Sequence, residues 1–269
     1  MDSRTGKKIR LARFFNAQSG KALMVAYSHG VIMGAIPGMR TLAEMKTACA
    51  QMQAVDGLMV APGMLPALED AFIGRDKPAL MVHMDYQSHT RSVLPYAEGA
   101  TVDLATVEQA LAAGADGIMT YLYIGYTDPE REKAEVARNA RLARECERLG
   151  MVFMVEALSA RERAHPEDRS TVEIASLYCR IAAELGADIV KAHYPGSLEN
   201  IAALAETCPA PLLIAGGAKT PDPEVAFRFA GEAVQAGASG LVFGRNIFEA
   251  DDVRATVARY RRIVHGAAA

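Results

Sequence analysis

The sequence predicts an α/β fold, a single-domain (β/α)8 (TIM) barrel, and three observations carry that prediction. Eight short apolar runs recur along the 269 residues. They are apolar almost throughout, as strands buried on both faces are, and such strands are parallel. Amphipathic segments with a 3.6-residue period separate them. A near-repeat, "LAAGADG", "ELGADI" and "QAGASG", closes several of those segments with a glycine cap and opens the next strand. A doubly wound sheet is the rival architecture, but it usually needs fewer strands and a reversal of their order.

The elements follow in order. The first segment, residues 1–20, reads as an N-terminal helix or arm whose Leu11, Phe14 and Phe15 close the base of the barrel. The eight strands are expected at 22–28, 57–61, 79–85, 117–123, 152–157, 188–194, 211–217 and 240–244. Between the first two, Leu42, Met45, Cys49 and Met52 form one helical stripe. The segment after the fourth strand starts with Pro129 behind Asp128 and stops at Gly150, which is helix start and stop chemistry. Residues 83–103 make a polar loop, long for its position, of the kind that forms lids or specificity elements.

Composition excludes several functions. The formal net charge is −3 with both signs mixed, so nothing resembles the basic footprint of a nucleic-acid binder. No apolar run approaches the length of a membrane span. The basic N-terminus has no apolar core, so no secretory signal and a cytoplasmic protein are expected. Cys49, Cys146, Cys179 and Cys208 are scattered, which predicts reduced structural thiols and no zinc site.

In such barrels the chemistry sits at the C-terminal ends of the strands. The sixth strand carries Lys191 and His193 on one face, with Val190 and Ala192 on the other. An amine inside a dry barrel loses proton affinity by desolvation, and a neutral amine can form a Schiff base with a ketone or aldehyde. A structural salt bridge to Glu156 or Asp85 is the competing reading. "IAGGAKTPDPE" and "FGRNIFEADD" are glycine turns on the next two strands, with Gly216, Gly217, Lys219, Gly244 and Arg245 placed for a phosphate. His83, Asp85, His89 and Arg91 are candidates for a hydroxyl-rich or second anionic end of the substrate. Imine chemistry needs no metal, so a metal site from His83, Asp85 and His89 is not expected, and neither is a cofactor beyond the covalent imine at Lys191.

The chain resembles the class I aldolases of the DeoC/LacD superfamily. Similarity begins at "RLARFFNAQSGKALMVAYSHG", continues through "YLYIG", and is densest at "GADIVKAHYPG", "IAGGAK" and "AGASGLVFGRNIF". The nearest group looks like the archaeal-type fructose-1,6-bisphosphate aldolases (the DhnA-like group), which also holds aminodideoxyheptulosonate synthases. The thiolase that degrades phosphorylated autoinducer-2 is related. The resemblance implies a Schiff-base Lys191, phosphate contacts at Gly216, Gly217, Gly244 and Arg245, a small-molecule sugar phosphate as substrate, and a homo-oligomer built on pentameric rings, such as a decamer.

Two departures matter. Ser28 in "SHG" stands where the family has an aspartate that assists proton transfer. "VEALS" stands where the aldolases carry a general acid/base tyrosine. His29, Tyr123 and Glu156 are the candidates to move the proton in its place, His29 because an unperturbed imidazole titrates near neutrality. Ser28, Asp85 and His193 are expected to touch substrate. The expected function is a metal-independent aldolase or lyase on a phosphorylated ketose. A thiolase acting on a phosphorylated dione, a transaldolase-like enzyme and a sugar-phosphate-binding barrel without catalysis are the alternatives.

Overall fold

The structure, a computed structural model, describes residues 2–88, 93–94 and 100–266. Its strands are β1 (Ala22–Ala26), β2 (Gly57–Val60), β3 (Ala79–His83), β4 (Asp85–Gln87), β5 (Thr101–Asp103), β6 (Gly117–Ile124), β7 (Val152–Ser159), β8 (Ile189–Ala192), β9 (Leu212–Ala215) and β10 (Gly240–Phe243). All but β4 and β5 join in a closed barrel of parallel strands, in the order β1-β10-β9-β8-β7-β6-β3-β2. The helices are α1 (Ser3–Arg13), α2 (Gly30–Met33), α3 (Leu42–Gln51), α4 (Leu65–Leu68), α5 (Val107–Ala112), α6 (Pro129–Leu149), α7 (Val172–Glu184), α8 (Leu198–Thr207), α9 (Pro223–Gln235), α10 (Arg245–Phe248) and α11 (Val253–His265). Among the described residues no helix is long and apolar enough to cross a membrane. The (β/α)8 barrel read from the apolar runs is therefore the observed fold.

Strand alternation divides the apolar residues between two cores. Met24, Met59, Met81, Met119 and Met154 fill the barrel interior with Ile189, Leu213 and Val242. Their sequence neighbours, such as Leu23, Leu58, Val82, Ile118 and Val190, pack outward in the core that includes the helices. Lys191 is two residues from Ile189, so it points inward with it.

The expected third strand ends early. At its end the backbone ladder gives way to a side chain: Met84 N–H still donates to Met119 O at 2.8 Å, but the next donor, Tyr121 N–H, goes to the Asp85 carboxylate at 2.9 Å. The chain then leaves the barrel as the antiparallel pair β4–β5, inside the segment expected to be a loop.

The N-terminal end of the barrel is closed by α1. Asp2 caps the helix at Arg4 N–H. Lys7 meets Asp188 at 3.0 Å, Arg10 donates to Gly150 O at 2.9 Å, and Arg13 grips Asp116 at 2.6 and 2.7 Å. These acceptors sit just before β8, β7 and β6. Phe14 follows the helix, is fully buried, and lies so close to Gly57 that a Cβ there would come within 2.9 Å of its ring.

Phe14→Ala opens a cavity under the barrel at the end away from the cleft. It is expected to cost about 3–5 kcal/mol of stability, read from urea unfolding.

Candidate active site

At the C-terminal ends of the strands lies a cavity of about 460 Å³. Every barrel strand except β3 contributes lining residues from its end or from the turn that follows. At its floor, Glu156 on β7 and Lys191 on β8 are register partners, both buried, and Lys191 Nζ donates to Glu156 Oε2 at 2.7 Å. The other carboxylate oxygen, Oε1, lies 3.2 Å from His193 Nε2. Burial works to raise the Glu156 carboxyl pKa, but the Lys191 charge and the His193 hydrogen bond outweigh it and hold the group well below the usual range. Glu156 is thus an anion between two donors, the salt-bridge partner of Lys191 that the competing reading named, and a carboxyl held ionised so firmly is a weak base for moving the proton. His193 is lowered by burial, against the pull of Glu156.

His29 also faces this floor. Its ring packs edge-on against Phe248, at 5.3 Å between centroids, and its Nδ1 is buried with no hydrogen-bond partner among the described residues. Burial, joined by the charges of Lys191 and Arg245, pushes its pKa down to about 3. The expected titration near neutrality is therefore corrected: His29 is a neutral imidazole at physiological pH. Tyr123 and Tyr121 point inward from β6 and stack at 5.7 Å. Burial first, and the Glu156 and Asp85 charges after it, keep both phenols protonated well above their usual range.

The two glycine turns need separate explanations. A Cβ on Gly216 would come 2.7 Å from the Phe243 ring, and one on Gly244 would come 2.5 Å from His29. Packing alone demands glycine at both. Gly217 differs: its φ is +68°, and nothing lies within 4 Å of a Cβ there, so its backbone is open to a ligand. Asn246 joins the turns, donating to Gly216 O at 3.0 Å and Ala218 O at 3.1 Å while accepting from Thr220 N–H at 2.9 Å. The helix after the first turn, α9, starts only at Pro223 and is capped by Asp222, so its N-terminus is not offered to the cavity. Arg245 lines the cavity, and its Nε is buried without a hydrogen-bond partner among the described residues.

Other expectations change. Lys219 lies outside the cavity lining and, exposed, donates to Glu249 O. Asp85 lies outside it too. It is fully buried and held by Arg138 at 2.8 Å, so its expected contact with substrate is corrected to a role in the wall. Ser28 does line the cavity, with its Oγ 2.8 Å from His83 Nδ1. Of the three residues from which no metal site was expected, His83 and Asp85 are neighbours at 3.3 Å, and His89 lies outside the described residues, as does Arg91. Sequence reasoning missed Asn246 and, on the cavity wall, Glu162, Arg163 and Arg169. Arg169 pairs with Glu162, and it loses proton affinity to burial and, less, to the charge of Arg245.

The His29 shift has a signed consequence. The unfolded chain binds this proton at the usual 6.5 and the folded chain only near 3. Between those values the unfolded state holds more protons, so stability falls as pH drops through the window. His29→Gln is expected to flatten that slope by up to about 1.4 kcal/mol per pH unit, measured by urea unfolding at steps from neutral pH downward.

Comparison with known proteins places the chain. The family model described as DeoC/LacD family aldolase matches residues 22–250. An uncharacterised aldolase of Saccharolobus solfataricus is 31% identical, over 97% of this chain and 94% of its own length. The 3-hydroxy-5-phosphonooxypentane-2,4-dione thiolase of Yersinia pestis is 32% identical, over 97% of this chain and 82% of its own. An archaeal fructose-1,6-bisphosphate aldolase, solved with its catalytic Lys covalently bound to the carbinolamine intermediate, superposes with a TM-score of 0.80. It covers 97% of this chain and all of that one, at 23% identity, a likeness of fold. With the barrel complete and the family model spanning residues 22–250, the chain belongs to the DeoC/LacD family of aldolases.

Proposed function

We propose that the protein is a class I aldolase that makes or breaks a carbon–carbon bond in a phosphorylated ketose through an imine at Lys191. The observation that carries this reading is a buried amine held by one carboxylate on the floor of a cavity whose rim bears Arg245 with a buried, unsatisfied Nε.

The chemistry follows from charge. The resting ammonium is balanced by Glu156 at 2.7 Å. When the ammonium passes a proton to the ketone oxygen, the Lys191 lone pair attacks the carbonyl carbon; the carbinolamine oxygen takes a second proton from the same nitrogen and leaves as water, giving an iminium. That cation stands on the same nitrogen, so the same carboxylate balances it. When the adjacent carbon–carbon bond breaks, its electron pair moves onto the iminium and leaves an enamine. Water later releases the product. Protonated Tyr121 and Tyr123 donate hydrogen bonds to substrate oxygens, and neutral His29 orients a hydroxyl. Arg245, the open backbone at Gly217 and Arg169 form the phosphate end.

A second reading shares the imine. The similarity to the dione thiolase, and Ala157 and Leu158 where the aldolases have a tyrosine, favour acyl transfer from a phosphorylated dione. Acetyl-CoA formation from 3-hydroxy-5-phosphonooxypentane-2,4-dione and coenzyme A would select it over the aldolase.

Borohydride reduction in the presence of a ketose phosphate is expected to leave a mass-tagged peptide at Lys191, absent in Lys191→Met. An untagged Lys191 with a substrate that turns over would refute the imine. Arg245→Ala is expected to raise KM for phosphorylated substrates by about 10–100-fold, with little change for unphosphorylated ketoses, in steady-state assays.

A further inference from the structure

We propose that Ser28 and His83 form the proton relay of this site: Ser28 exchanges a proton with a substrate hydroxyl, and His83, backed by Asp85, holds it. The inference rests on the Schiff-base reading.

Ser28 Oγ brings one end of a buried polar chain to the cavity. Ser28 follows β1 and is 5% exposed, and it lines the same cavity as Lys191. His83 closes β3, is fully buried, and does not line the cavity. The barrel order puts β2 between these strands, so the 2.8 Å contact from Ser28 Oγ to His83 Nδ1 crosses over β2 and is no part of the sheet ladder. On the far side of the ring, His83 Nε2 lies 3.3 Å from Asp85 Oδ1, an approach off the hydrogen-bonding line. Asp85 is itself fixed, by Arg138 at 2.8 Å and Tyr121 N–H at 2.9 Å. The Tyr121 ring meets His83 edge-on at 5.3 Å.

This arrangement sets the tautomer. A carboxylate beside Nε2 favours the proton there, and the Nδ1 lone pair is left to accept from the Ser28 hydroxyl. The same carboxylate stabilises the imidazolium that forms when a second proton arrives. A serine hydroxyl alone is a poor proton acceptor; with an imidazole behind it, it passes the proton on as it receives one.

The step balances. In the substrate iminium at Lys191, the hydroxyl beyond the breaking bond gives its proton to Ser28 Oγ, while Ser28 gives its own to His83 Nδ1. The carbon–carbon bond breaks, its electron pair makes the enamine, and the hydroxyl carbon becomes an aldehyde. The imidazolium returns the proton through Ser28 to the enamine carbon. Ser28 is the catalytic group, touching substrate, and His83 and Asp85 act through it.

The test compares wild type, Ser28→Ala, His83→Gln and the double variant Ser28→Asp/His83→Gln. The probes are fructose 1-phosphate, fructose 1,6-bisphosphate and sedoheptulose 1,7-bisphosphate. Two quantities are read, borohydride labelling at Lys191 and the cleavage kcat and KM. Ser28→Ala and His83→Gln are expected to keep the label and KM but lose about 10²–10³-fold in kcat. The double variant is expected to recover at least about tenfold over His83→Gln, because a carboxylate in place of Ser28 takes the proton without an imidazole. A merely structural His83 would not be rescued in this way. Labelled variants that cleave at wild-type rates, or a double variant without recovery, overturn the relay and leave the imine standing. Wild-type protein unlabelled by all three probes overturns both. If His83→Gln gives no cooperative melt, Ser28→Ala decides: retained kcat overturns the relay, and loss with the label intact supports it.

Discussion

The ion pair between Lys191 and Glu156 is the constraint around which this site is built. Two opposite charges buried in a barrel interior cost several kcal/mol each to desolvate, and removing one partner of such a pair costs about 3–5 kcal/mol. The pair is tolerable only where geometry is good and spare donors and acceptors are satisfied. Register alignment of β7 and β8 supplies the first condition, and His193 on the second carboxylate oxygen supplies part of the other. A hydrophobic pair would suit the fold as well. The charges stand at the mouth of a methionine-lined interior, where a cationic nitrogen can be held through successive chemical states.

The surrounding electrostatics follow from that choice. Burial, reinforced by the positive charge at Lys191 and Arg245, keeps His29 neutral, and burial, reinforced by the negative charge at Glu156 and Asp85, keeps Tyr121 and Tyr123 protonated. The cavity floor therefore holds one anion, one cation and a set of neutral donors, with a second positive region at the rim around Arg245 and Arg169. The phosphorylated ketose proposed as substrate would match that pattern end to end.

What could be read from the chain divides along physical lines. Eight strands and the inward face of Lys191 were legible because a period of two and short apolar runs are local properties. The partner of Lys191 was not, since Glu156 and Asp85 both end strands and only register chooses between them. The contact from Ser28 to His83 depends on the distance across β2, and no spacing encodes that. Gly216 and Gly244 looked like ligand glycines, yet the Phe243 ring and His29 already require them, because sequence does not separate room for a side chain from room for an anion. Arg163 and Arg169 lie in the turn and short 3-10 helix after β7, whose sequence has no periodic pattern to read.

The Asn246 amide holds Gly216 and Ala218 from one turn while sitting in the other, and its oxygen receives Thr220. Two loops on separate strands are thereby tied together. The position of a bound anion is then referenced to the strands on both sides of the turns at once, and a ligand gripped at that end reports its alignment to Lys191 through the sheet itself, without a hinge between the two.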